Sequence, residues 1–304
     1  MNFNDELNLR TKEAETIISG YLPEADGFCR TLPEAMTYAL LAGGKRLRPV
    51  LMKAVFDMLG GEGREVEPFM AGIEMIHTHS LIHDDLPAID NDDYRRGRLT
   101  THKVYGEAMG VLSGDALLNY AYETMLKAFD LTGSSTQVIK ALRLMSEKTG
   151  IKGMLGGQSV DVQNNGIAQD EQMLEYIYRK KTSALIEASM GTGAVLAGAD
   201  DETVRLVEKA ASLIGMAFQI RDDILDVEGD EKTLGKPVHS DDKNHKITYV
   251  TLYGLEGAGS EVRRFSDEAC GIIRTLAKDS SDEKRVRGCS FLLSLTEYLT
   301  TRDR

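Results

Sequence analysis

Two aspartate clusters stand far apart in the chain, and each is flanked by cationic or amide side chains. Residues 84–90 read DDLPAID and run on into NDDYRRGR, while residues 222–226 read DDILD. Aspartate-rich runs are ordinarily solvated loops. These two sit at the end of, or inside, strongly apolar helical patterns, where carboxylates need a cation. Hard oxygen donors without clustered His or Cys select Mg2+ over Zn2+. Magnesium keeps several waters and shares one or two carboxylates with substrate phosphates. Asp84 with Asp90, and Asp222 with Asp226, are the candidate carboxylates, expected on opposite walls of one magnesium–diphosphate site.

The formal net charge of −12 argues against nucleic-acid partners and anionic membrane surfaces. A diphosphate site therefore demands local basic groups. GGKRLRP at 43–49 supplies Lys45 and Arg48, expected on one helical face at i, i+3. Arg95 and Arg96 follow the first cluster directly. Lys180, Lys181, Thr182, Lys236 and Lys246 accompany the second. Other phosphate motifs fail: GDEKTLGKP at 229–237 lacks Walker spacing, and no GxGxxG or GxSxG stands in a suitable context.

The elements that must position these groups are helices. Proline is rare, alternating patterns are almost absent, and 3.6-residue periodicity dominates. Pro33 opens a helix that runs to Ala42 and stops at Gly43–Gly44, and Pro49 restarts one through Leu59. Further helices are expected over 67–85, 103–108, 113–129, 135–149, 171–197, 201–227, 246–254, 259–277 and 282–301. The sum is an all-α single domain, 1–304.

Helical geometry sharpens both clusters. With Gln219 at 0°, Ser212, Gly215, Asp222, Asp223 and Asp226 fall within about 60° of one line. The remaining arc is apolar apart from Arg221, so the helix is expected to be buried with its carboxylates toward a cleft. In the first cluster, His77 and Ser80 share the line of Asp84. Pro87 disfavours helix at Leu86, so Asp84 and Asp85 occupy a last turn. Anions there oppose the helix dipole by roughly 0.3–1 kcal/mol each. His77 is expected to contact a diphosphate, and His83 to be structural.

Composition fits this reading. The chain has 304 residues, 42% hydrophobic and 28% charged, ordinary for a globular protein. No apolar run reaches the ~18–20 residues of a membrane helix, and MNFNDELNLR is not a secretory signal. Cys29, Cys270 and Cys289 form no CxxC pair, so neither a disulfide framework nor zinc is indicated. A reducing cytoplasm is expected.

GGKRLRP, IHTHSLIHDDLPAIDNDDYRRG, GGQSVD, KKTSALI and FQIRDDILDVEGDEKTLGK, in that order, resemble the trans-isoprenyl diphosphate synthases. The spacing inside DDLPAID is similar to that of bacterial farnesyl and plant-type geranylgeranyl members. The resemblance implies about ten core helices around a deep cavity, and a homodimer. It implies Mg2+-dependent head-to-tail condensation of an allylic diphosphate with isopentenyl diphosphate. By motif, Asp84 and Asp90 would hold two Mg2+ on the allylic diphosphate and Asp222 a third. Arg95, Lys181 and Lys236 would contact that diphosphate. Lys45, Arg48, His77 and Arg96 would hold isopentenyl diphosphate. Thr182 and Gln219 would lie against the developing cation, with Lys246 at the rim.

In that family, side chains just upstream of the first aspartate set product length, here His79 and Ser80. A C15 product is expected, with C20 as the alternative. Tyr94 and His245 depart from the usual pattern without removing a ligand. An HD-type metallophosphohydrolase would use His77 and His83–Asp84, but leaves DDILD unexplained. A terpene cyclase would need a different second metal motif. A non-catalytic regulatory subunit should have lost motif residues, and none is lost.

Overall fold

A computed structural model describes residues 2–164, 168, 170–228, 247–278 and 282–301. Helices dominate it, as the periodicity predicts. They are α1 (Phe3–Ser19), α2 (Thr31–Leu40), α3 (Leu47–Met58), α4 (Val66–Asp84), α5 (Thr101–Tyr105), α6 (Glu107–Leu126), α7 (Ser135–Thr149), α8 (Met154–Gln163), α9 (Glu171–Ile177), α10 (Ala184–Leu196), α11 (Asp201–Glu228), α12 (Tyr249–Leu276) and α13 (Glu283–Thr301). Contacts group the chain into two compact units, Met1–Lys53 with Gly63–Leu142 and Ala54–Glu62 with Arg143–Arg304.

Several boundaries differ from expectation for local reasons. α1 and α8 escape the periodicity because neither carries an apolar stripe. α1 buries only Ala14 and Ile18, and α8 buries only Met154 and Gly157. The expected helix 103–108 is split at Gly106, whose φ of 87° ends α5 and starts α6. The expected helices 246–254 and 259–277 are joined in α12 across Gly254, at φ 70°. A hairpin stands where only a loop was expected. β1 (Tyr94–Arg95) and β2 (Arg98–Leu99) pair antiparallel. Arg96 and Gly97 turn between them at φ 53° and 75°, the left-handed pair of a tight hairpin turn.

In the first unit, α4 is apolar nearly all round and buried from Pro68 to Ile76, so other helices must cover it. Gly72 lets α6 approach: a Cβ there would lie 2.7 Å from Met125 Cγ and 3.2 Å from the Ala121 carbonyl. Further along, His79 is 3% exposed, and its Nδ1 lies 3.0 Å from the Gly114 carbonyl on α6. Its ring packs edge-on against His83, centroids 4.6 Å apart. Burial, then the neighbouring His83, lowers the His79 pKa to about 4. One buried ion pair also ties this unit: Arg46 Nη1 donates to Glu74 Oε1 at 2.8 Å, and Nη2 to the Leu40 carbonyl at 2.8 Å.

In the second unit, α10 is buried at every position but Glu187, and α11 packs against α10 and α12. The expected helix 171–197 is interrupted: Tyr178–Ser183 is π-helical. π-Helical turns inside α-helices concentrate at functional sites. Two glycines admit this wider turn. A Cβ on Gly157 would sit 2.3 Å from the Lys181 backbone nitrogen, and one on Gly215 within 2.6 Å of Ser183.

Gly157→Ala should therefore destabilise the fold by about 1–3 kcal/mol, read as a lower urea midpoint. An unchanged midpoint would remove the close-approach argument. His79 makes a second prediction. The folded state keeps its imidazole neutral down to about pH 4, whereas the unfolded chain binds that proton near pH ~6.5. Stability is present above the unfolded value and is lost as pH falls through this window, by up to about 3 kcal/mol. His79→Gln should flatten the decline in urea stability between about pH 7 and pH 4.5. An equally steep decline in the variant would contradict it.

Candidate active site

The first cluster is a tight loop at the C-terminal end of α4. The Asp90 N–H donates to the Asp84 carbonyl at 2.9 Å, and the Ile89 and Asn91 N–H groups donate to the Leu86 carbonyl. These bonds fold the loop back onto the helix end, so Asp84 and Asp90 belong to one corner. Asp84 is half-buried and Asp90 exposed. Asp85 is 4% exposed and turned inward, where Arg95 Nε donates to its Oδ1 at 2.6 Å. Burial raises the Asp85 pKa to about 6, outweighing the opposing pull of Arg95. Arg95 also lies 3.6 Å from Asp92, and Lys103 pairs with Asp93 at 2.7 Å. Lys103 was not a candidate from sequence; its pairing depends on the hairpin.

Beside this loop lies a basic cluster. His77 is held well below its usual pKa, first by burial and then by Arg48, Arg96, Arg95 and Arg46. Its imidazole is therefore neutral. Burial, aided by Arg96 and opposed by Glu74, lowers the Arg48 pKa to about 10. The Arg48 Nε is buried without a hydrogen-bond partner. Arg96 donates to the Gly43 carbonyl, and its guanidinium lies over Gly44. A Cβ at Gly44 would stand 2.5 Å from it, and Gly44 itself is at φ 124°. Arg46 and Arg96 both hold positive φ, 49° and 53°, uncommon for non-glycine residues and a recurrent mark of functional sites. Several guanidiniums around a neutral imidazole, with the Nε atoms of Arg46 and Arg48 both buried without a hydrogen-bond partner, form a receptor for an anion.

Lys45 does not share a helical face with Arg48. Residues 43–46 are non-helical, α3 begins at Leu47, and Lys45 is exposed. The positive φ values through Gly43, Gly44 and Arg46 forbid the helical register that the spacing suggested. The chain-length candidates also differ in direction. His79 points to α6, as described above. The Ser80 hydroxyl donates back to the His77 carbonyl at 2.8 Å. His83 turns toward α6: its Nε2 lies 3.2 Å from the Val111 carbonyl, over Gly114.

The second cluster lies at the end of α11, in the other unit. Asp222 is half-buried, whereas Asp223 and Asp226 are 4% and 5% exposed. Asp223 accepts from the Tyr178 hydroxyl at 2.8 and 2.7 Å and from the Tyr249 N–H at 3.1 Å. The expected carboxylate stripe thus divides: Asp223 is held by protein donors, Asp226 is buried rather than beside Asp222 at the surface, and Asp222 stands at the half-buried edge. One turn earlier, Gln219 Oε1 accepts from Thr182 Oγ1 at 2.9 Å. Lys181 Nζ pairs with Asp161 Oδ2 at 2.6 Å. Asp161, in GGQSVD, was not a candidate from sequence. Asp161, Lys181, Thr182, Gln219, Asp223 and Thr248 all line one cavity of about 160 Å³. Lys236 and Lys246, like His239 and His245, lie outside the described residues.

The donor set fits Mg2+. Among the described residues no group of three or more His, Cys, Asp or Glu side chains converges on a metal. That excludes a closed protein cage at those residues. Asp84, Asp90 and Asp222 offer hard oxygen donors, the type used by an ion that takes one or two carboxylates and completes its shell with water and phosphate.

With this geometry, the relatives become informative. Residues 29–289 match the polyprenyl synthetase family. A farnesyl diphosphate synthase of Geobacillus stearothermophilus is 44% identical over 275 residues, covering 90% of this chain and 92% of the relative. The large subunit 1 of a heterodimeric geranylgeranyl pyrophosphate synthase of Arabidopsis thaliana is 44% identical over 240 residues, covering 78% and 65%. A geranyltransferase from Helicobacter pylori, solved with magnesium and isoprenyl diphosphate, matches with a TM-score of 0.85 at 30% identity over 99% of both chains. From its helical architecture and its sequence across both units, the chain belongs to the polyprenyl synthetase family.

Proposed function

We propose that this protein is a farnesyl diphosphate synthase, a prenyltransferase that condenses isopentenyl diphosphate head-to-tail with dimethylallyl or geranyl diphosphate. The observation that carries the reading is the arginine cluster around neutral His77. It concentrates positive charge and an orphan buried donor in a chain of net charge −12. Only a strongly anionic ligand such as a diphosphate satisfies it. Arg48, Arg96 and the His77 N–H hold isopentenyl diphosphate, and exposed Lys45 reaches it from the loop.

Asp84, Asp90 and Asp222 hold about three Mg2+ with the allylic diphosphate. Bound there, the ions would supply Lewis-acid stabilisation of a diphosphate leaving group. Arg95, Lys181 and Lys236 donate to the same group, with Lys246 at the rim. Thr182 directs its hydroxyl proton to Gln219, which leaves the lone pairs of its oxygen for the developing allylic cation. Attack by the isopentenyl double bond forms the new carbon–carbon bond, and loss of a proton restores a double bond. The departing diphosphate takes that proton, as the resemblance to the family implies.

The plant relative keeps a C20 product as the alternative. The HD-type reading loses support at His77, because four guanidiniums would repel a divalent cation there. A homodimer accords with the outward face of α6, where Val111 and Leu112 are 43% and 51% exposed. A reducing cytoplasmic setting rests on the sparse, unpatterned spacing of Cys29, Cys270 and Cys289.

The purified protein, given Mg2+, isopentenyl diphosphate and each of dimethylallyl, geranyl and farnesyl diphosphate, should release mainly farnesol after dephosphorylation. A dominant C20 alcohol would replace the product assignment, and no prenyl product at all would overturn the activity. Asp84→Ala and Asp222→Ala should each lower kcat by at least about 10²–10³-fold with unchanged circular dichroism. Near-normal turnover in either folded variant would sink the metal assignment.

A further inference from the structure

Asp223 is a buried carboxylate that the reading above does not use. Its two oxygens accept from the Tyr178 hydroxyl at 2.8 and 2.7 Å, and Oδ2 also accepts from the Tyr249 N–H at 3.1 Å. The two tyrosine rings stack, centroids 5.8 Å apart and 30° from parallel. Three elements meet at this carboxylate: α11 through Asp223, the π-helical turn through its first residue Tyr178, and α12 through its first residue Tyr249.

Each partner has a reason to be there. The Tyr249 N–H is one of the donors that a helix start leaves without an intrahelical acceptor, and a carboxylate at that end is favoured by the dipole. Thr248 already caps the same start through a reciprocal pair with Thr251. Asp223 therefore ties an independently formed helix end to α11. On the other side, Gln219 and Asp223 lie one turn apart on α11, and both bond to the π-helical turn. Asp223 holds Tyr178 and Gln219 holds Thr182. Two bonds spaced along both elements fix the rotation of one against the other. Lys181, between those anchor points, is thereby aimed at Asp161 and into the cavity that it lines with Thr182 and Gln219.

We propose that Asp223 is a positioning residue, acting through Tyr178 and Tyr249 to set Lys181, Thr182 and Gln219 for the allylic diphosphate, and that it is not a metal ligand. This rests on the prenyl-transfer reading of those residues. Its neighbour Asp222, half-buried at the edge, keeps the metal role. The π-helical turn is the element most in need of such a tie. Its wider turn is approached closely by α8 at Gly157 and by α11 at Gly215, where no Cβ would fit.

Steady-state kinetics of Tyr178→Phe, with separate titrations of both substrates and Mg2+, test the proposal. Loss of the hydroxyl should shift the turn, and displacement of catalytic groups by about 1 Å costs on the order of 10²-fold. The expected result is a fall in kcat of roughly 10–100-fold. KM for isopentenyl diphosphate and the Mg2+ concentration for half-maximal rate should be unchanged. Asp222→Asn, the comparison variant, should raise the Mg2+ requirement. Unchanged kcat in folded Tyr178→Phe overturns the proposal. So does a raised Mg2+ requirement that parallels Asp222→Asn. If Tyr178→Phe does not fold, Asp223→Asn takes its place, since the amide keeps the size of the side chain. A lowered kcat at unchanged Mg2+ requirement supports positioning, and a raised requirement makes Asp223 a ligand and overturns it. A wild-type protein without prenyl product would instead take down the functional reading itself.

Discussion

The first unit is organised around crowded positive charge. Arg46, Arg48, Arg95 and Arg96 all bear on the imidazole of His77, and few anions stand among them. Guanidiniums brought out of water together repel one another unless counter-charges or a ligand compensate. Glu74 answers Arg46, and Asp85 answers Arg95. Each is itself buried, and breaking such a pair from one side typically costs 3–5 kcal/mol. What remains is Arg48, with an unpartnered buried Nε, and Arg96, which donates to the Gly43 backbone carbonyl. The local backbone is shaped around this crowding. Gly44 has no side chain because the Arg96 guanidinium fills that space, and Arg46 adopts a left-handed conformation so that its side chain can turn inward.

The second unit solves a different problem, that of holding a π-helical turn in place. The turn carries Lys181 and Thr182, and its backbone is approached so closely by α8 and α11 that only glycine fits at Gly157 and Gly215. Close packing restricts translation, and the bonds from Asp223 and Gln219 restrict rotation. In both units, therefore, the second aspartate of the Asp–Asp pair is consumed by the protein's own donors. Asp85 serves Arg95, and Asp223 serves two tyrosines. The first aspartate of each pair, Asp84 or Asp222, stays at the half-buried edge. Adjacent carboxylates on a helix point about 100° apart, so one can be anchored inward while its neighbour faces outward.

Helix existence was largely legible in the residues. The 135–149 and 201–227 patterns match α7 and α11 almost residue for residue, because a buried stripe repeats locally. Elements without such a stripe were not legible. α1 and α8 are held by a cap and by glycine packing, and the hairpin by a turn of only two residues. The GGKRLRP spacing suggested a helical face for Lys45 and Arg48. The positive φ values at Gly43, Gly44 and Arg46 could not be read there, because the close approach at Gly44 answers to the distant Arg96 guanidinium.

By itself the sequence determined the helical class and the family. It also determined the chemical character of the site: hard carboxylates with basic groups beside them. These depend on residue type and near-neighbour spacing, which the chain carries along its length. Tertiary structure alone decided which carboxylate of each pair is held inward, which way His79 turns, and that His77 stays neutral. Those outcomes are set by partners remote in sequence. Tyr178 and Tyr249 lie 45 and 26 residues from Asp223, and Gly114 lies 35 residues from His79. Desolvation and hydrogen-bond saturation exist only once such groups have been brought together, so no local pattern could have announced them.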